Sequence, residues 1–589
     1  MRVADAIAKW FEIAGFRHYF GYAGGSVWPL LDALIETPQI EAIQAKHESH
    51  AVHMADLYTR VSGTIAPVIV NKGPGLLNAV GACASAMHDS CPLLIIAGGP
   101  ATHFLGKAGM QEIFYHGSED ASSVFKPVTK ATWMVVRPDT TIDLLNFALK
   151  TAVSGRPGPV FLQVPFDIQL SGVEGEIEAP AVRLPIAGAS RAGLDEVRAV
   201  VDLLAQAQRP LLLAGGGIVR SKCAPALRSF AEAHSIPVVT TMPAKGILSE
   251  DHPLSLGTVG RSGFECAARA SREADLIIAI GARFSDNNTA NWRRGSIYDI
   301  PKTKIVQIDV DYSEVGRNYA VALGIVGDAK CFLEDLLKAA AEFSRGWPEW
   351  LARVQGYRQD WERELVNIQT SATRPIHPAR LVHEVGKALP ADGRVFIDIG
   401  DVTQYAEAYM KIRTPGSWQI SPGMAEMGWA ASGILGAVAA DRRGAIALVG
   451  DGAFNMVCQV VATAVEYDLP AVWVILNNYG LGIERKGMEK AYKRSHPWCH
   501  FRRKDTHQPY NPDYVGLARA FGAEAARIED PDELQPALQR ALASRRPWVL
   551  DVPTDDSVGS YFTKGIDRAY PDNWSKSYPN YNLLRNAPE

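Results

Sequence analysis

The chain reads as an α/β protein built of three doubly wound, parallel-sheet domains. Three observations carry that reading. At 589 residues it exceeds what one hydrophobic core organises. Short apolar runs alternate with longer helical patterns from end to end. Many of the runs stop at Gly, Asp or Asn, as buried parallel strands do where the chain leaves the C-terminal edge of a sheet.

In chain order, MRVADAIAKWFEIAGF is an amphipathic helix without a signal-peptide core. IAPVIVNKGPG, CPLLIIAGG and PVFLQVP give strands to a first domain, 1–175. RPLLLAGGG, ADLIIAIGAR and TKIVQIDV serve a second, 190–345. GRVFIDIG, GAIALVGDG, LPAVWVILNN and RPWVLDVP serve a third, 375–555. The seams are a Gly-, Ala-, Pro- and acid-rich stretch at 171–195 and a Trp- and Arg-rich connector at 343–378. The tail, 556–589, holds too many aromatics for a solvated linker and is expected to fold back over the active site.

With 47% hydrophobic and 21% charged residues and a net charge of −4, nothing points to nucleic acid or to an anionic membrane. No stretch reaches the roughly 18 apolar residues that span a bilayer. The 7 cysteines are scattered without a C-x-x-C pair, which suits reduced thiols. A soluble, cytoplasmic protein is expected.

Four motifs invite a chemical reading. KHESHAVH, 46–53, sets His47, His50 and His53 at three-residue steps, roughly one helix face, with Glu48 among them. Zinc is one reading and a polar helix start the other; the spacing is not H-E-x-x-H. GGGIVR (215–220) follows a strand and opens a helix, with Arg220 where a dinucleotide fingerprint has its last Gly. GPGLLN (73–78) lacks the Lys of a phosphate-binding loop and marks a close backbone approach. The fourth is GDGAFNMVCQVVATAVEYDLPAVWVILNN, 450–478. One strand ends at Asp451, a helix follows, and a second strand ends at Asn477 and Asn478. A right-handed crossover brings both ends to the same sheet edge. A carboxylate and an amide oxygen suit a hard divalent cation, and Gly452 clears room for a diphosphate at backbone N–H groups.

GDG followed by NN resembles the signature of the thiamine diphosphate enzymes. FGYAGGSVWPLLDAL, KGPGLLNAV, GMQEI, GRPGPVFLQVPFD, GARFSD, IVQIDVDYSEVGRN and SPGMAEMGW extend the resemblance, most strongly to the acetolactate synthase group. It implies a pyrimidine-binding domain, a middle domain and a diphosphate-binding domain, in a homodimer or homotetramer whose active sites lie between subunits. Glu48 then matches the glutamate that bonds the cofactor's aminopyrimidine and favours its imino tautomer, so the three histidines become scaffold. Asp451, Asn478 and the carbonyl of Gly480 match the Mg²⁺ ligands. Gly423, Met424, Gly450, Gly452, Ala453 and Leu481 match cofactor-binding positions, and Met427 the bulky residue beneath the thiazolium. Gly25 and Gln111 match positions facing thiazolium and substrate. The implied activity is carboligation or decarboxylation of a 2-oxo acid through an enamine, with C–C lysis, as in a 2-hydroxyacyl-CoA lyase or a dione hydrolase, as the alternative. The middle domain resembles the flavin-binding version, which leaves FAD open as a further cofactor.

The departures matter as well. Asn287 stands where the synthases carry an arginine for the second oxo acid, so the acceptor site lacks a guanidinium unless Arg261 or Arg293 supplies one. Met110 replaces a phenylalanine, and the longer stretch from Gln111 to Lys130 contains His116, a candidate proton donor. The basic run 484–504, close after Asn478, is either a solvated face or a receiver of an anionic acceptor or of the tail.

Overall fold

The computed structural model describes residues 1–113, 121–178, 190–292 and 295–559. His116, Arg293 and all of the tail past 559 therefore lie outside the described residues.

Three six-stranded, wholly parallel sheets are present, each flanked by helices. Numbered within each sheet, the first and third share the strand order 2-1-3-4-6-5. The middle sheet runs 6-5-4-1-2-3, the order of dinucleotide-binding folds read from its far edge. Its switch point lies between Pro210–Ala214 and Leu276–Ile280. There a Cβ on Gly215 would meet Gly281 O at 2.0 Å, so the strand-to-helix turn of GGGIVR packs backbone on backbone.

Two helices join the first and third domains. Glu48–Ser62 begins after an extended His47, whose ring nitrogen accepts the Ser49 N–H at 3.3 Å, and ends at a left-handed Gly63 (φ 77°). Trp429–Asp441 is apolar nearly all round, the pattern of a helix buried on every side. Its N-terminus is capped from a neighbouring strand end. Asp398, fully buried, accepts from the N–H groups of Gly428 (2.8 Å), Ala430 (3.0 Å) and Ala431 (3.1 Å). The two helices cross at glycines: a Cβ on Gly436 would lie 1.8 Å from Met54 O, and one on Gly433 2.9 Å from His53 O.

A buried polar network locks the crossing. Arg60 grips Asp56 (2.7 and 3.0 Å) and Asp89 (2.9 Å), while Trp429 donates to Asp56 at 2.7 Å. Both carboxylates are met by the guanidinium, which is what lets three charges stay inside. The connector after the middle domain is not a plain linker. Pro348–Gln369 is a helix that follows Trp347, and Trp347 and Trp350 each donate at 2.9 Å to backbone oxygens of the middle domain, those of Ala207 and Pro210. All 7 cysteines are free thiols. Among the described residues no helix is long and apolar enough to cross a membrane.

Candidate active site

The first domain gathers its candidate residues around Glu48, the first residue of its helix and only 8% exposed. Glu48 Oε2 accepts from Asn78 Nδ2 at 2.9 Å. A Cβ on Gly75 would sit 3.1 Å from Glu48 Oε1 and 3.1 Å from the Asn71 side chain, so the GPG turn lies directly beside both. Asn71 ties in the remaining members. Its Oδ1 accepts from the N–H and the hydroxyl of Ser26, next to Gly25, and its Nδ2 donates to Gln111 Oε1 at 3.3 Å. Gln111 itself is left-handed (φ 62°) and packs on Gly73. Gly25, Glu48 and Gln111 thus form one cluster, and Asn71 and Asn78 hold it together.

The histidines beside Glu48 do not assemble a metal site. His47 caps the helix, and His50 and His53 are buried, with burial and then the neighbouring imidazoles holding His50 down to about 3. Among the described residues no group of three or more His, Cys, Asp or Glu could hold a metal. His53 Nε2 lies 3.5 Å from Glu426 Oε1, and Ser85 donates to the other oxygen at 2.6 Å. These contacts make the histidine face a scaffold between the first and third domains.

The third domain gathers the rest. Asp451 ends the strand Ala445–Gly450 and opens the helix Asp451–Val457. Asn478 follows the strand Ala471–Asn477, which pairs beside it. Asp451 is 1% exposed and meets neutral donors: Gly452 N (2.8 Å), Gly480 N (3.2 Å), Asn511 Nδ2 (2.8 Å) and the Tyr479 backbone N–H. Burial pushes its carboxyl up to about 7, against those hydrogen bonds. Asn478 turns its Nδ2 to Asp401 Oδ2 at 3.2 Å, leaving its oxygen for a ligand. A buried carboxylate with no counter-ion among the described residues, beside a directed amide oxygen, is a donor set that fits a hard divalent cation.

Of the positions expected to face a cofactor, Gly450, Gly452 and Ala453 lie beside this pair. Gly450 Cα has open space where a side chain would go, and Ala453 is buried. A Cβ on Gly452 would meet Leu481 at 2.8 Å and Met427 at 3.3 Å, so those two side chains flank the glycine at the helix N-terminus. Gly423 packs on His88 and Asp89 of the first domain, and Met424 beside it is 50% exposed.

Several neighbours carry no signal in the sequence. Asn511 donates to both Asp451 and Asn477 (2.8 Å each), and Asp401 receives Lys486 Nζ at 2.9 Å as well as Asn478. A Cβ on Gly482 would fall 1.9 Å from Asp401 Oδ2, so that glycine is needed for the approach. The basic run folds partly inward here. Arg485, 4% exposed, donates to the carboxylate and to the backbone oxygen of Asp556, both at 2.7 Å. Tyr405 donates to the oxygens of Val558 and Gly559, so the chain enters its tail beside the helix that starts at Asp401.

Of the two arginines expected to be able to stand in near Asn287, Arg261 lies close, its Nη2 donating to Asp286 Oδ2 at 3.0 Å, and Arg293 lies outside the described residues. The middle domain also borders a cavity of about 1240 Å³, lined by Gly216, Gly281, Arg283, Asp309 and Asp328 among others.

A two-part arrangement of this kind, with a buried glutamate on one α/β domain and the Asp451–Asn478 sheet edge on another, fits a three-domain thiamine diphosphate enzyme. The comparisons agree domain by domain. Residues 1–120 match the thiamine pyrophosphate enzyme N-terminal binding domain, 197–336 the central domain and 398–552 the C-terminal binding domain. The chain is 35% identical to the probable acetolactate synthase large subunit of Methanocaldococcus jannaschii, covering 94% of this chain and 92% of that one. It is 31% identical to the Corynebacterium glutamicum acetolactate synthase large subunit (94% and 86% covered). It is 29% identical to the Escherichia coli isozyme 3 large subunit (95% and 96%). The chain belongs to the acetolactate synthase-like thiamine diphosphate enzymes, which form C–C bonds.

Proposed function

We propose that this protein is a Mg²⁺-dependent carboligase that takes a 2-oxo acid as donor and joins it to a second carbonyl compound. The observation that carries the reading is Glu48: a carboxyl-bearing helix start, buried and fixed by Asn78 at 2.9 Å. Held there, it donates to or accepts from the ring nitrogen of an aminopyrimidine and moves the proton that sets its tautomer. When bound, thiamine diphosphate would supply a nucleophilic ring carbon for the donor's oxo carbon and a cationic ring as electron sink for decarboxylation.

The other side chains have complementary tasks. Asp451 and Asn478, with the carbonyl of Gly480, would hold Mg²⁺ against the diphosphate, and the bare Gly452 turn would offer it N–H groups. Met427 and Leu481, which flank Gly452, would shape the cofactor's seat and exclude water from it. His116 is assigned no step. The middle-domain cavity is given to FAD. Its strand order is that of dinucleotide folds, and two of its lining arginines, Arg220 and Arg283, point at backbone oxygens of Asp89 and His88. Neither has a carboxylate partner among the described residues. Unpaired guanidiniums at a strand edge fit a pyrophosphate.

The test is the purified holoenzyme with pyruvate, with products analysed with and without an added aldehyde. Glu48→Gln is expected to keep thiamine diphosphate but to lose most H/D exchange at its C2. Exchange as fast as in the wild type would remove Glu48 from the role. Cleavage of 2-hydroxyacyl-CoA or of a cyclic dione without CO₂ release from any oxo acid would favour the lyase alternative.

A further inference from the structure

The cavity given to FAD has a charged wall in Arg220 and Arg283, and it also has one aromatic wall. Among the described residues that line it, Trp292 is the one Trp, Tyr or Phe. Trp292 is left 45% exposed. Its one side-chain polar atom is already satisfied, since Nε1 donates to Phe284 O at 2.8 Å. What stays uncovered is therefore apolar ring surface at the wall of a cavity.

The backbone presents this ring at a cost. Ala290 (φ 53°), Asn291 (φ 60°) and Trp292 (φ 56°) are left-handed residues in succession, none of them glycine. L-residues visit that region singly, and a bulky side chain is unfavourable there. Local bonds hold the turn in place. The Asn291 N–H donates to Asp286 O at 2.7 Å, and the Trp292 N–H to Thr289 Oγ1 at 3.0 Å. The anchor of the indole is equally fixed. Phe284 is itself left-handed (φ 52°) and 2% exposed, edge-on to Tyr298 and Tyr319 with ring centroids 5.6 and 5.5 Å away. Its carbonyl also accepts from Asn318 Nδ2 at 3.2 Å. Strain of this kind persists where the surroundings over-determine it, and it gathers at ligand clamps. Had the turn ended on a core side chain, packing alone would account for it. It ends instead on a half-exposed ring that lines a cavity.

The other walls say what such a ring would meet. Asp309 closes the strand Lys304–Asp309 and lines the cavity with the two arginines. A carboxylate at a strand end suits ribose hydroxyls, and guanidiniums suit a pyrophosphate. A dinucleotide that uses both also carries two flat rings, and an indole fixed through its N–H offers a face for one of them.

We propose that Trp292 is the stacking face for a planar heteroaromatic ring of the bound dinucleotide, isoalloxazine or adenine. The proposal rests on the assignment of the cavity to FAD.

The test titrates FAD and ADP into the full-length protein freed of bound nucleotide, as wild type, Trp292→Leu and Trp292→Phe. Trp292→Leu is expected to bind FAD about five- to a hundredfold more weakly, and Trp292→Phe, which keeps a ring, to recover most of that loss. Thiamine diphosphate affinity equal to the wild type's marks the Leu variant as folded. If isoalloxazine is the stacked ring, ADP keeps its affinity in Trp292→Leu. Flavin emission, quenched by the indole in the wild-type complex, then rises in both variants. If adenine is the stacked ring, ADP weakens together with FAD and the emission of bound flavin stays as in the wild type. An FAD affinity unchanged in Trp292→Leu, or a loss that Trp292→Phe does not recover, overturns the stacking face and leaves the FAD site standing. No saturable binding of FAD by the wild type overturns the FAD reading and the stacking face with it.

Discussion

Asn511 steadies the proposed Mg²⁺ edge without being one of its proposed ligands. It bonds Asp451 and Asn477 at once, 2.8 Å each, and so fixes which way the carboxylate turns. Second-layer partners of this kind are worth roughly 10–100-fold in metal affinity. Asn511→Leu keeps the volume and deletes both bonds. Mg²⁺ titrated calorimetrically in the presence of thiamine diphosphate should bind 10–100-fold more weakly; wild-type affinity would show that Asp451 is held by other means. The sequence makes Asp451 and Asn478 legible because a charged or amide residue closing an apolar run stands out. It cannot make Asn511 or Asp401 legible, because each meets the site from a separate loop or helix start, at no fixed spacing. Arg261 could be named only as an alternative beside Arg293, because it comes to Asp286 from a neighbouring loop rather than from the position after it.

At the scale of elements, the crossing of Glu48–Ser62 with Trp429–Asp441 governs the site more than any single contact does. Gly436 lets one helix rest on the backbone of the other, where a Cβ would lie 1.8 Å from Met54 O. Backbone cannot swing aside as a side-chain tip can. Gly436→Ala should therefore cost about 1–3 kcal/mol of overpacking. In scanning calorimetry it should lower the unfolding temperature of the holoenzyme, and it should slow C2–H exchange because Glu48 moves with its helix. A variant as stable and as fast as the wild type would mean that the helices can separate without cost. The strands were easier to read than this crossing. Parallel strands buried on both faces are apolar throughout, whereas AASGILGAVAA offers no stripe to say what it packs on. The connector failed for the opposite reason. In Pro348–Gln369 only Trp350, Val354, Trp361 and Leu365 are buried, a stripe too narrow to announce a helix among so many charges.

At the scale of the molecule, the two half-sites sit on sheets of identical strand order, and each is edged by apolar side chains left in solvent. Leu77 beside the GPG turn is 44% exposed and Met110 beside Gln111 81%; Met424 beside Gly423 is 50% and Met456 in the helix from Asp451 60%. Large apolar side chains clustered on the rim of a site mark a surface meant to be covered. A symmetric dimer that sets the Glu48 cluster of one chain on the Asp451 edge of its partner covers both rims with one interface and makes two sites. Mixing tests this without a structure of the assembly. Glu48→Gln chains and Asp451→Ala chains, each inactive alone, would be unfolded together and reassembled. A shared site gives every mixed dimer one doubly damaged site and one intact site. Random pairing makes half the dimers mixed, so activity should return to about a quarter of the wild-type level. If each chain built its site from its own two halves, no mixture could recover any activity, because every site would carry one of the two lesions.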